Sequence, residues 1–330
     1  MAVDHPAPKY LHEEEGLTQE TKDFLSSLPR DKSWVLNHFY QYQGFWHTTK
    51  QLVGVMTCQQ QFKAHETDLF LVSTPKSGTT WLKAMAFATV NRVRYTNNFT
   101  HNHPLLTSSP HELVPFLEQK YIDNSALDLS GFTSPRLFST HMAHTSLPES
   151  VKDSKCKLVY ICRDPKATFV SYWHFANKLR PKNLGPNSLE EAFERFCRGV
   201  TLFGPFWDHV LGYWKESLER PERVCFLKFE AMKKEPKLHL RKLAEFLGYP
   251  FSLEEENQRV PEEILRLCSF ENLSNLEVNK TGKLATGEEN SAFFRRGEVE
   301  DWVNFLTQEM IEHLDQITEQ KLFGSGLKFN

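Results

Sequence analysis

Three short runs of almost unbroken apolar residues stand out along the chain: 68–73 (DLFLVS), 157–162 (KLVYIC) and 223–228 (RVCFLK). Runs of this length without alternation predict strands buried on both faces. A weaker fourth run, 136–139 (RLFS), fits the same pattern. Between the runs, the spacing of apolar positions turns helical. Residues 79–90 predict a helix directly after the first strand. Asp164 and Pro165 predict the start of another, with Asp as cap and Pro at the first helical position. Ser188 and Glu191 have capping-box spacing. Gly204-Pro205 precedes a further helix, and 236–247 runs to Gly248, a residue suited to close a helix. Buried strands alternating with helices predict an α/β fold, a single domain with a central, mostly parallel sheet flanked by helices. Ligands of such sheets bind at the carboxyl ends of the strands, so the chemistry is sought there. Residues 1–20 read as a flexible arm and 21–330 as one domain, since no repeat, low-complexity block or Gly/Ser linker divides them.

Composition narrows the function classes. The chain has 330 residues, 40% hydrophobic and 25% charged, with a net charge of -3. That balance fits a globular protein with a sizeable core and points to neither a nucleic-acid nor a membrane partner. Any anion site must then be built locally. The 26 Phe and 7 Trp mostly fill the core, with some free to line a pocket for a flat or apolar ligand. Six cysteines are scattered without a CxxC pair, against structural zinc and a disulfide framework. Cys162 and Cys225, inside apolar runs, read as buried thiols. The acidic, Pro-containing N-terminus is no secretory signal, and no run approaches the roughly 20 apolar residues of a membrane span. A cytoplasmic location is expected.

The first strand runs into Thr74-Pro75-Lys76-Ser77-Gly78-Thr79-Thr80. Gly78 permits a tight turn, and the amides of 77–80 open a helix whose N-terminus favours an anion. Thr79 and Thr80 add hydroxyl donors, and Lys76 adds charge. A capped helix start alone would also use such residues. The combination nonetheless points to a P-loop-like phosphate cradle. Its order differs from a nucleotide-kinase loop, GxxxxGK(S/T): Lys76 precedes Gly78, and no strand ends in an Asp with clear magnesium-holding context. At the end of the second strong run, Arg163 is placed to clamp a phosphate with its planar fork. Ser171 follows about two helical turns later. A salt bridge for Arg163 and a solvent-facing position for Ser171 are the plain alternatives.

The loop and its surroundings, TPKSGTTWLKA, resemble the 5′-phosphosulfate loop of cytosolic sulfotransferases. The resemblance continues in order through PRLFSTH (135–141), YICRDPKATFVSYWHF (160–175), FGPFWDHVLGYW (203–214), LCSFENLSNLEVNK (267–280) and FFRRG (293–297). It is nearest to the plant branch, which includes flavonol and brassinosteroid enzymes, and makes 21–330 a sulfotransferase domain. The implied reaction is in-line sulfuryl transfer from 3′-phosphoadenosine 5′-phosphosulfate to a hydroxyl of a small molecule. The implied catalytic residues are His141, as base, and Lys76. The implied donor contacts are Lys76, Ser77, Gly78, Thr79, Thr80 and Trp81; Arg163 and Ser171 at the 3′-phosphate; Phe203, Phe229, Ser269 and Phe270; and Arg295, Arg296 and Gly297. No metal is implied. His144 is the nearest competing imidazole.

The chain departs from the family's pattern at several positions. Animal members carry a lysine two residues before the histidine, where this chain has Ser139. Phe203 and Phe229 replace tyrosines, and Glu300 replaces the second glycine of a GxxGDW stretch. The animal dimer motif is not recognisable before Arg295, which counts against dimerisation by that route and leaves the oligomeric state open, a monomer included. The polar stretch 279–290 reads as a mobile lid over the donor. The implied acceptors are flavonoids, brassinosteroids, phenolics or hydroxyjasmonate. Two other classes compete: a metal-dependent P-loop kinase, disfavoured by the lysine order, and a non-catalytic nucleotide-binding protein, disfavoured by His141.

Overall fold

The four apolar runs form one parallel sheet, preceded in the chain by a small antiparallel one. The computed structural model describes residues 12–13, 15–95, 102–122, 129 and 131–329. Residues 1–11 and 14 of the expected arm lie outside the described residues. Near the end of that arm a helix, Gln19–Ser27, already begins, with the Thr18 side chain accepting from Thr21 N–H.

The antiparallel sheet comprises β1 (Arg30–Lys32), β2 (His38–Tyr42) and β3 (Phe45–His47). No apolar run announces it, because its strands are only three to five residues long. Gln43 and Gly44, both at positive φ, link β2 to β3 as a two-residue hairpin. The central sheet comprises β4 (Leu69–Ser73), β5 (Leu137–Thr140), β6 (Lys157–Cys162) and β7 (Val224–Lys228) in the order β5-β4-β6-β7. All three pairings are parallel. The expected strands and helices are present, within a residue or two at their ends. Asp164 caps Pro165–Leu179 by accepting from the Lys166 and Ala167 amides. Helix Pro236–Leu247 ends on Gly248 at φ 90.

Alternation along the strands splits the core in two, since successive side chains point to opposite faces. Phe70, Val72, Leu158, Tyr160 and Cys162 face one cluster, which also holds residues of Pro165–Leu179 and Phe206–Glu219. Leu69, Leu71, Val159 and Ile161 face the other, shared with Thr79–Asn91, Pro236–Leu247 and Val260–Leu267. Both faces are therefore covered, which explains why these strands carry no polar stripe. The carboxyl ends remain as the place where polar groups can converge.

Candidate active site

A cavity of about 400 Å³ opens at the ends of β4, β5 and β6, which are continued by the Lys76 loop, His141 and Arg163. Two residues of the loop adopt left-handed backbone: Lys76 at φ 69 and Gly78 at φ 108. Gly78 is required twice over, because a Cβ there would stand 2.9 Å from both Ile161 and Phe229. The loop is braced by hydroxyl pairs at 2.6 Å, Thr74 with Ser77 and Ser73 with Thr79. Gly78 offers no side-chain cap to helix Thr79–Asn91, so first-turn amides are left for an anion.

Positive charge collects around this loop. Burial, then the charges of Arg163, Arg295 and Lys178, pull the Lys76 pKa down to about 7. Its ammonium group lies 4.3 Å from the Phe175 ring centre, with only a 3.4 Å contact to the Ala292 carbonyl. Arg163 is buried, donates to the Glu298 carbonyl at 2.6 Å, and is lowered by burial to about 10. Arg295 and Arg296 both bond Asp301. Burial raises the Asp301 pKa, but the two arginines outweigh it and hold the carboxyl below its usual value. Among the described residues, the buried Nε atoms of Arg163 and Arg295 have no partner. Mutually repelling cations, buried or half-buried and with unused donors, fit an anionic substrate.

Around them stand Trp81 and Phe229, edge to face at 5.6 Å, and Ser171, which is buried and lines the cavity instead of facing solvent. Gly297 lets the chain pass Phe270, whose ring would lie 2.6 Å from a Cβ at that position. The Ser269 side chain lies at the wall and also caps Phe270–Asn275. Of the expected residues, Ser77 and Phe203 do not line the cavity. Ser77 turns its hydroxyl to Thr74, and Phe203, buried at φ 58, packs 5.6 Å from His141 and 5.1 Å from His47.

His141 follows the last residue of β5. Its Nδ1 is 2.6 Å from the Ser73 carbonyl, its backbone N–H donates to Glu118, and its carbonyl accepts from His209. A carbonyl only accepts, so Nδ1 carries the proton and Nε2 keeps its lone pair. Burial lowers the pKa to about 3 against the opposing Ser73 bond, with the Lys83, His209 and Lys76 charges adding to the drop. The ring is thus neutral. His144 instead faces Glu216 at 3.6 Å and is not in the cavity wall. Ser139 is buried and donates to backbone carbonyls of Val114 and Pro115, so no ammonium comes from that position.

Segment 279–290 forms a wall more than a loose flap. Asn279 and Asn290 are buried and bond backbone carbonyls, a bridge joins Lys283 to Glu289, and Leu284 and Glu288 line the cavity. Other functional candidates escaped the sequence reading: His111 and Phe116 in the wall, with Lys83 and Glu118 buried behind them. Lys83 lies three residues after Thr80 on one helix face, a spacing that was visible. The rest meet only in three dimensions.

A profile of the sulfotransferase domain matches residues 66–326. Cytosolic sulfotransferase 12 of Arabidopsis thaliana is 49% identical over 330 residues, all of this chain and all of that protein. The crystal structure of a steroid sulphotransferase candidate from the same plant is 44% identical, with a TM-score of 0.77, over 98% of this chain and 100% of that one. Mouse sulfotransferase SULT7A1, solved in complex with PAP, is 27% identical with a TM-score of 0.68, over 87% and 95% of the two chains.

Proposed function

This chain belongs to the sulfotransferase family, and on that premise we propose that it moves a sulfuryl group from 3′-phosphoadenosine 5′-phosphosulfate to a hydroxyl of an uncharged small molecule, with His141 as base. Arg163, Ser171, Arg295, Arg296 and the backbone at Gly297 hold the 3′-phosphate. The loop from Lys76 to Thr80 holds the phosphosulfate, and Trp81, Phe229 and Phe270 take the adenine end. The acceptor hydroxyl passes its proton to His141 Nε2 as its oxygen bonds to sulfur. The bond from sulfur to the bridging oxygen breaks, and Lys76, the loop amides and Thr80 stabilise charge on the departing 5′-phosphate. Like the relatives named cytosolic, the chain works in the cytosol.

The observation that carries this reading is His141 itself: a neutral ring, pinned through Nδ1, in the same cavity wall as the Lys76 loop. For the acceptor, the remaining wall includes the uncharged Val35, Leu36, Thr48, Gln51, Gln119 and Tyr172 as well as the charged Lys233 and Glu288. Its apolar and neutral share supports a phenolic, flavonoid or brassinosteroid hydroxyl.

The test is transfer of label from the donor to a panel of hydroxylated acceptors, in chelator, by wild type and His141→Ala. Wild type is expected to label a neutral acceptor, and the variant to lose about 10²–10⁴-fold in rate. Activity that needs magnesium and ATP, or a variant as active as wild type, would remove the reading.

A further inference from the structure

Lys83 is a buried lysine to which the reaction above gives no task. It has no exposed surface, on a helix whose other buried positions are Leu, Ala, Met and Thr. Taking an ammonium out of water costs several kcal/mol, and an apolar residue of similar volume would pack there without that cost. Its contacts suggest what it gains. Lys83 Nζ lies 3.0 Å from His111 Nδ1, and His111 Nε2 lies 3.0 Å from Thr80 Oγ1. The imidazole is held by rings on two sides, Phe116 at 5.6 Å and Phe293 at 4.1 Å, so it cannot turn freely.

The chain of contacts has a direction. Lys83 has N–H donors as ammonium or as amine, and we take His111 Nδ1 as the acceptor. Burial first holds the Lys83 pKa well below the usual lysine value, opposed by the Glu118 charge, and the Phe116 ring face lies 3.3 Å from Nζ. His111 stays neutral, because burial first, then the Lys83 and Lys76 charges, hold it well below the usual histidine value. A neutral ring that accepts at Nδ1 carries its proton on Nε2, which donates to Thr80 Oγ1. With a lone pair so engaged, the Thr80 hydroxyl has its own proton left to give, and Thr80 lines the cavity in the first turn of the loop helix. Were the direction reversed, Thr80 would spend that proton on His111.

We infer that Lys83 and His111 are positioning residues that fix the Thr80 hydroxyl as a hydrogen-bond donor to the 5′-phosphate end of the sulfuryl donor. The inference rests on the assignment of the loop to that end. It also gives Lys83 a role different from that of the lysine the chain lacks at Ser139: it acts through two other side chains.

The test compares two ligands by calorimetry on the full chain: 3′-phosphoadenosine 5′-phosphate and adenosine 3′-monophosphate, which lacks the 5′-phosphate. Thr80→Val and Lys83→Met should each weaken the first ligand about tenfold, the scale of one hydrogen bond to a charged group. The second ligand should change less than about twofold. The double variant should bind no more weakly than either single one, because the groups act as one unit. The same variants should lower kcat and leave the acceptor KM unchanged. Lys83→Met should melt somewhat below wild type, since it leaves His111 Nδ1 buried without its partner. If it does not fold, His111→Phe, which keeps the stacked ring and removes the relay, must give the same pattern. Equal weakening of both ligands, multiplying effects of Lys83→Met and Thr80→Val, or a Lys83→Met that binds like wild type would overturn the inference. A wild type that binds both ligands equally would instead remove the loop assignment, and this inference with it.

Discussion

At the end of the cavity that we assign to the donor, Lys76, Arg163 and Arg295 come together on strand ends and on a short run clamped by Asp301. The same cavity is also lined by Phe116, Leu36, Tyr172 and neutral polar groups such as Gln51 and Gln119, which we assign to the acceptor. The two ends rely on different physics. Directed donors in a water-poor site lose their value if displaced by an ångström, which accounts for the left-handed backbone at Lys76 and the glycine at 78. Apolar contact is non-directional and scales with area, so the acceptor wall tolerates different shapes. Changes at the donor end should be large and independent of the acceptor; changes at the acceptor wall should be small and depend on which acceptor is used.

The largest break in that contrast should come from Lys76→Met, which removes the one ammonium of the loop. Its kcat should fall about 10²–10³-fold, the scale for loss of a preorganised charge-stabilising donor, by a similar factor for every acceptor that turns over. Steady-state kinetics with two acceptors of unlike shape checks this. A loss that differed strongly between them would place Lys76 in acceptor recognition. On the other side, Leu36→Ala should raise the acceptor KM by about threefold to tenfold, as expected for trimming one apolar side chain. The KM for the sulfuryl donor should stay put. A change in donor KM would show that the two ends are not separable.

The donor end was also the easier to read in advance, for a reason that lies in the chain. Lys76, Gly78 and Thr79 lie within four consecutive residues after an apolar strand, and Arg163 follows another, so local pattern locates them. Residues that meet across the sheet carry no such mark. Glu118 reaches the His141 amide from a four-residue helix, and His111 reaches Lys83 from another, at sequence separations of 23 and 28. The small sheet β1–β3 was missed because strands of three to five residues have too few positions to show alternation. Phe203 shows the opposite case: its sequence context resembles a donor contact, whereas its ring packs against His47 and His141 and does not line the cavity.

The smallest effect, and the sharpest for the charge argument, concerns protons. In the free protein Lys76 is lowered to about 7 by burial and then by neighbouring cations. At pH 8 it is therefore mostly an uncharged amine. A phosphate bound beside it favours the ammonium and raises its pKa, so binding must take up a proton there. The sign follows from linkage: the bound state holds more protons, so affinity falls as pH rises through about 7, by at most about tenfold per pH unit. Titrating 3′-phosphoadenosine 5′-phosphate into wild type at pH 8, in buffers of different ionisation enthalpy, should report uptake approaching one proton. At that pH the ligand phosphates, with second ionisations near pH 6, no longer contribute. Lys76→Arg keeps a charge that does not titrate in this range and should take up almost none. Equal uptake by the two proteins would mean that the loop lysine is already charged before the donor arrives. The donor end would then resemble an ordinary solvated cation site, and its contrast with the acceptor wall would rest on geometry alone.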